Sequence, residues 1–79
     1  MDLELLKRIE VKPGVLCGKP VIKGTRISVE LILERLASGY SFDQIGYDYD
    51  ISEEDIKAAI TYAYEIVANE EIIEIAKTQ

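Results

Sequence analysis

The chain has 79 residues, a formal net charge of −6 at pH 7 and a hydrophobic fraction of 48%. That fraction excludes a disordered chain, and no apolar run approaches the ~20 residues that span a bilayer. The N-terminal sequence is acidic and lacks the basic region and cleavage site of a signal peptide, so we expect a single cytoplasmic domain with no membrane role.

Residue types absent from the chain limit the chemistry it can perform. There is no histidine, which is the commonest general base near neutral pH and the commonest metal ligand. The one cysteine, Cys17, excludes an internal disulfide and is expected to be a small buried hydrophobe between Leu16 and Gly18. We therefore predict no catalytic residues, no metal site and no cofactor.

Charge is distributed unevenly along the sequence. Residues 1–40 contain seven cations and five acids, whereas residues 41–79 contain two cations and ten acids. Such a division of charge favours binding of a partner in one orientation. The partner is nucleic acid if the basic end binds it, or a basic protein if the acidic end does. The alternative is that both are ordinary solvated faces, because net charge affects solubility before function.

The N-terminal third carries strand and turn signals. Ile9–Lys12 alternates apolar and polar residues, which predicts a short strand. Val15–Cys17 and Val21–Ile22 flank the turn residues Gly18–Pro20 and predict a hairpin or two short strands. Residues 2–8 fit either a helical turn or the approach to a strand.

Three helices follow, and each begins with a capping serine. Ser28, Ser41 and Ser52 are placed to accept hydrogen bonds from the orphan amides of a first turn. The second helix is expected to be short because Asp48–Asp50 is typical of a loop. The third is the longest, and its apolar positions keep a period of 3.6: Ile56, Ala59, Ile60, Ala63 and Val67.

These elements outline a mainly α, trihelical helix-turn-helix bundle within one domain. We divide the chain into a β-rich arm (residues 1–27), a three-helix core (28–69) and a helical tail (70–79). The isoleucine-rich tail is suited to packing onto its own domain or onto a second subunit. The edge strands of the arm are suited to pairing between subunits, so we expect a homodimer.

Candidate DNA contacts lie in the arm rather than on the third helix. That helix opens with Glu53, Glu54 and Asp55, whose carboxylates would repel phosphates. The cations of the arm are instead the predicted phosphate contacts: Lys7, Arg8, Lys12, Lys19, Lys23 and Arg26.

The turn at Thr25 and Arg26 allows two interpretations. Arg26 either contacts an anionic ligand or donates to backbone carbonyls or to Glu30. We favour the second, with Thr25 as a turn or cap residue, because a tight turn into a helix leaves backbone groups to satisfy.

Candidate contacts with a protein partner lie in the acidic part of the chain. They are Tyr47, Tyr62, Tyr64, Ile72 and Ile73. Tyrosine is enriched at interface hot spots, although tyrosines that simply cover the core would show the same pattern.

A longer motif supports a family assignment. The run GKPVIKGTRISV at residues 18–29, with its glycine–threonine–arginine centre, resembles the signature of the domain-of-unknown-function 433 family. The resemblance continues through LASGYS at 36–41, DYDI at 48–51 and SEEDIKAAI at 52–60, and covers about residues 9–68.

This resemblance implies a homeodomain-like trihelical fold behind a short β segment, in a small bacterial or archaeal cytoplasmic protein. Many members are described as antitoxins of type II toxin–antitoxin pairs, with a PIN-type ribonuclease as the toxin, and none is known as an enzyme. We therefore expect an antitoxin that binds such a toxin and its own promoter DNA. The alternative is a homodimeric interaction module with no DNA role.

Overall fold

The computed structural model describes residues 1–69, and the order of its elements is a 3₁₀ helix, two strands and three α-helices. The 3₁₀ helix is Leu3–Arg8, and a single 3₁₀ turn at Leu16–Gly18 separates the strands. The remaining elements are β1 (Ile9–Glu10), β2 (Val21–Ile22), α1 (Val29–Ala37), α2 (Phe42–Tyr49) and α3 (Glu53–Ala68). The predicted mainly α fold is confirmed, whereas the predicted tail at 70–79 lies outside the described residues.

The two strands form an antiparallel sheet, but the partner of β2 differs from the predicted one. Ile9 pairs with Ile22 and Glu10 pairs with Val21. The predicted strand at Val15–Cys17 is wrong, because Leu16 and Cys17 have φ values of 46° and 57°, in the left-handed region. The chain there is a tight turn, closed by hydrogen bonds from Gly18 N to Val15 O and from Lys19 N to Leu16 O.

Cys17 is also placed differently from expectation. It is an exposed free cysteine on this turn. Its neighbour Leu16, in the same left-handed conformation, is half-buried, so of the two side chains at the centre of the turn only that of Leu16 is covered. The expectation that Cys17 is buried is therefore wrong.

Each helix begins at its predicted serine. The hydroxyl of Ser28 accepts from Leu31 N, and that of Ser41 accepts from Gln44 N, both at 3.0 Å. Ser52 forms a full capping box, in which its hydroxyl accepts from Asp55 N and its own N–H donates to the Asp55 carboxylate. These bonds satisfy amides that have no partner within the helix.

The second helix is longer than predicted. It continues through Asp48 to Tyr49, and Asp50 ends it in the left-handed conformation, with φ of 54°. Tyr49 packs against the core cluster, and its hydroxyl accepts a hydrogen bond from Arg35 Nε at 3.0 Å. These contacts favour the additional helical residues.

The core lies where the sheet and the three helices meet. Ile32, Ile45 and Ile56 are fully buried, one from each helix. Alanines at positions 58 and 59 of α3 are also fully buried, and their small side chains allow close approach of neighbouring elements. Among residues 1–69, no helix combines the length and apolar character needed to cross a membrane.

Candidate functional site

Four of the six predicted DNA-binding cations form ion pairs with acids of the same chain. Each cationic group lies within 4 Å of a carboxylate oxygen. The pairs are Lys7 with Glu4 at 2.8 Å, Arg8 with Asp55 at 3.1 Å, Lys12 with Glu10 at 3.7 Å and Lys19 with Glu30 at 2.8 Å.

The pair between Lys19 and Glu30 shows the electrostatic consequence. The hydrogen bond and charge of Glu30 raise the pKa of Lys19, and Lys19 in turn lowers the pKa of Glu30. Both side chains are largely exposed, so the pair contributes little to stability. It does place a carboxylate beside an ammonium group that was predicted to meet phosphate, which weakens attraction of that group for nucleic acid.

The remaining two cations lie on the turn between β2 and α1. Lys23 and Arg26 are exposed, and neither forms an ion pair within residues 1–69. Glu30, the predicted acidic partner of Arg26, binds Lys19 instead. The structure thus leaves these two side chains as the cations of the arm that are open to an anionic partner.

A hydrogen-bonded frame holds this turn. The Thr25 hydroxyl donates to Ile22 O at 2.8 Å and accepts from Ile27 N at 2.9 Å, which confirms Thr25 as a turn residue. The carboxylate of Glu10 accepts from Gly24 N at 2.9 Å. This last bond lowers the pKa of Glu10, since it stabilises the ionised form.

The predicted tyrosine contacts differ in exposure. Tyr47 on α2 is 89% exposed and Tyr64 on α3 is 52% exposed, whereas Tyr62 is half-buried. Tyr47 and Tyr64 are therefore accessible to a partner, and the core-covering interpretation applies to Tyr62. The two predicted isoleucines, Ile72 and Ile73, lie outside the described residues.

An exposed apolar surface follows α3, which we call the α3 face: Ile60, Tyr64 and Val67. Their exposed fractions are 37%, 52% and 65%. The spacings i, i+4 and i+7 place these side chains on one side of the helix. The period of 3.6 assigned Ile60 and Val67 to the same apolar stripe as Ile56. Of these three side chains only Ile56 is buried, which the sequence pattern did not predict.

Burial along α3 is concentrated in its N-terminal part. The 3₁₀ helix, α1 and α2 all pack against α3. Its buried residues nevertheless all lie between Ile56 and Thr61, in its N-terminal part. Tyr64 and Val67 lie beyond Thr61, whereas Ile60 lies within this part and is the least exposed of the three residues, at 37%. A sequence signal does exist, because the apolar positions of this helix span a wider arc than one neighbouring helix can cover.

The α3 face lies in the acidic part of the described chain. Residues 41–69 contain seven acids and one cation, Lys57. Lys57 pairs with Glu53 one turn earlier, at 3.1 Å. In residues 1–69, no group of three histidine, cysteine, aspartate or glutamate side chains is arranged to hold a metal ion. The α3 face is thus an exposed apolar strip in a part of the sequence where acids outnumber cations.

Comparison with known proteins gives a family and a structural relative. A crystal structure of a DUF433 member protein from Anabaena variabilis ATCC 29413 matches 96% of this chain and 73% of its own, with 31% sequence identity and a TM-score of 0.70. No curated protein matches the chain. The family model "Protein of unknown function (DUF433)", which carries no enzymatic name, matches residues 9–63. Together these similarities show that the chain belongs to the DUF433 family.

Proposed function

We propose that this chain is the antitoxin of a type II toxin–antitoxin pair and that it binds and neutralises a PIN-type ribonuclease in the cytoplasm. The observation that carries the proposal is the α3 face, where Ile60, Tyr64 and Val67 are exposed on one side of a helix. Exposed large apolar side chains that cluster in this way are typical of protein-binding sites. Tyrosine at the centre of such a patch is a frequent interface anchor.

Charge supports a basic partner. A ribonuclease that binds RNA presents cations to the phosphate backbone, and the seven acids of residues 41–69 are complementary to such a surface. Complementary charge accelerates association and aligns the partners, while the apolar anchors supply the lasting contacts. Tyr47, 89% exposed and also in this acidic region, is a second candidate anchor.

We also propose that the chain itself is not an enzyme. The family has no enzymatic name. Antitoxin action of this kind needs only a stable complex that blocks the toxin, and the apolar α3 face with its acidic surroundings is suited to that role.

Co-expression with the product of the neighbouring gene, which the proposal requires to be a PIN-type ribonuclease, tests the proposal. We expect a complex that survives purification and suppresses RNA cleavage. The Tyr64→Ser variant is expected to weaken the complex at least about tenfold, because loss of a hot-spot tyrosine costs on the order of 2 kcal/mol. Val11→Ser is the matched control, since Val11 is 54% exposed but lies outside the acidic region.

The same experiment separates the alternative function. Failure of the ribonuclease to bind, together with a homodimer of this chain that dissociates on Tyr64→Ser, would favour an interaction module that uses the α3 face for self-association. Equal weakening by Tyr64→Ser and Val11→Ser would contradict a role of the α3 face in either complex.

Binding of promoter DNA is a second candidate function, which the exposure of Lys23 and Arg26 favours. Both cations stand on the hydrogen-bonded turn before α1, and neither has an acidic partner within the described chain. A homodimer would present two such turns to the phosphate backbone. The other four candidate cations already lie beside carboxylates, so we propose that they contribute less to DNA affinity.

A further inference from the structure

An apolar groove lies between α1 and the C-terminal half of α3, which we call the α1–α3 groove. Its volume is about 380 Å³. Ile66 of α3 lines it and is still 49% exposed. The lining is mainly apolar, with residues such as Pro20, Val29 and Leu33, and it also includes Val67 of the α3 face and one acid, Glu30.

The described chain ends beside this groove. Helix α3 stops at Ala68, and the side-chain amide of Asn69 donates to Glu65 O at 2.6 Å. Asn69 lies outside the helix, and its amide supplies a donor to a carbonyl of the last turn that lacks a partner within the helix. Such bonds are typical of helix ends. Ile66 and Val67, which line the groove, lie three and two residues before Asn69, the last described residue.

The segment that follows has the composition to fill an apolar groove. Residues 70–79 read EEIIEIAKTQ and include three isoleucines and an alanine within five positions, 72–76. Two acidic residues, Glu70 and Glu71, separate Asn69 from the first isoleucine. They provide a polar connection between the end of α3 and the apolar part of the segment.

We propose that residues 70–79 dock into the α1–α3 groove of their own chain, with isoleucine side chains against Ile66 and Leu33. Val67 belongs to both the groove and the α3 face, so docking covers one edge of that face, whereas Ile60 and Tyr64 do not line the groove. A tether of two or three residues gives the segment an effective concentration in the millimolar range or above, far higher than that of a second copy. The segment therefore occupies the groove of its own chain in preference to that of another.

Tethering also lowers the contact area that the segment needs. A separate protein needs a standard interface of about 1,200–2,000 Å² of total buried surface for a stable complex. A tethered segment needs much less contact area, because most of the entropy of association has already been lost.

A double-mutant cycle in the full-length chain tests the docking. The groove variant is Ile66→Ser and the segment variant replaces Ile72, Ile73 and Ile75 together with serine. If the segment covers Ile66, the groove variant lowers the thermal midpoint by roughly 4–8 °C in the wild-type background, the shift expected for loss of one buried contact in a domain of this size. In the segment-variant background the same substitution has at most about half this effect.

Tyr64→Ser is the matched control. Tyr64 lies on the same helix with a similar exposed fraction, 52% against 49% for Ile66, but it does not line the groove. We expect its effect on the midpoint to be the same with and without the segment substitutions. If Ile66→Ser and Tyr64→Ser behave alike in both backgrounds, the docking is disproved.

Methyl NMR on the unmutated chain decides which copy supplies the segment and does not depend on any variant folding. We expect nuclear Overhauser effects between Ile66 and the isoleucines of residues 72–75 in a uniformly labelled sample. In a mixture of labelled and unlabelled chains, filtered to detect contacts between chains only, these effects should vanish. Their persistence in the filtered spectrum would show exchange of the segment between copies and would overturn the proposal, as would their absence from both spectra.

Discussion

Arg8 donates a hydrogen bond to the carboxylate of Asp55 at 3.1 Å and so joins the N-terminal 3₁₀ helix to the start of α3, 47 positions later in the chain. The other oxygen of the same carboxylate accepts the N–H of Ser52 at 3.0 Å. The side chain of Asp55, which is 16% exposed, therefore completes the capping box of α3 and also holds the arm against the core.

Because Asp55 has two roles, its removal should lower the free energy of unfolding by more than the removal of Arg8 does. Arg8→Ala should lower the free energy of unfolding by less than about 1 kcal/mol, because it removes only a partly exposed ion pair. Asp55→Ala should lower it by about 1–2 kcal/mol, because it also removes the acceptor of the Ser52 N–H in the capping box, while the Ser52 hydroxyl still caps the helix. Urea unfolding measures both, with Glu54→Ala as the control for loss of an acid in the same helical turn. Equal losses for the Arg8 and Asp55 variants would contradict the assignment.

Glu10 predicts a specific acid dependence of stability. The N–H of Gly24 holds the pKa of this carboxyl below its ordinary value of 4.5. Because the pKa is lower in the folded than in the unfolded chain, the contribution is complete above the unfolded pKa. It is lost as the pH falls through the folded pKa.

Glu10→Gln tests this dependence by thermal unfolding between neutral pH and values below 4. The variant should be less stable than the wild type at neutral pH, and the difference should shrink on acidification. Glu54→Gln, at an exposed site on α3, controls for the loss of one acid. A difference that stays constant across this pH range would show that the Gly24 contact does not depend on ionisation of Glu10.

Gly46 should not tolerate a larger side chain, although it lies within α2. A Cβ atom at this position would meet the backbone oxygen of Ile51 at 2.9 Å. Alanine normally stabilises a helix relative to glycine by up to about 1 kcal/mol. Here we expect Gly46→Ala to destabilise the chain by roughly 1–3 kcal/mol, since the backbone must shift.

Chemical denaturation of Gly46→Ala and Gly14→Ala checks this expectation. No atom lies within 4 Å of a Cβ added at Gly14, so that variant should stay within about 0.5 kcal/mol of the wild type. A stabilised Gly46→Ala variant would mean that the turn from α2 to Ile51 adjusts freely.

Salt dependence should reveal how many cations reach DNA. If only Lys23 and Arg26 contact phosphates, the logarithm of the binding constant should fall against the logarithm of salt concentration with a slope of about −1.8 per chain. Contacts from all six candidate cations would give a slope of about −5.4. A titration with promoter DNA measures the slope, and Lys7→Ala is the matched control for Arg26→Ala. A slope near the larger value would show that the four intramolecular ion pairs open on binding.

Helix boundaries were the part of the fold that could be predicted most directly. The caps at Ser28 and Ser52 join residues three positions apart, and Gly39 ends the first helix region with φ of 97°. Such interactions depend on residues within one turn, so the pattern of residues determines them. Residue type also marked the tyrosines as candidate anchors, but only the structure shows that Tyr47 and Tyr64 are exposed and that Tyr62 is half-buried.

Exposure and strand pairing could not be predicted in this way. The pairing of Ile9 with Ile22 bypasses the apolar residues Val15–Cys17, whose composition was equally typical of a strand. The left-handed backbone of Leu16 and Cys17 excludes these residues from the sheet. The residue pattern alone does not predict this backbone conformation.

By itself, the sequence determined the helical character, the caps and the acidic charge of the second half of this chain. Only the tertiary structure decided that Arg8 meets Asp55, that Lys19 is occupied by Glu30 and that the α3 face is left uncovered. The physical reason is the range of the interactions. Local hydrogen bonds and net charge follow from neighbouring residues, whereas burial and ion pairing depend on which distant elements pack together and where they end.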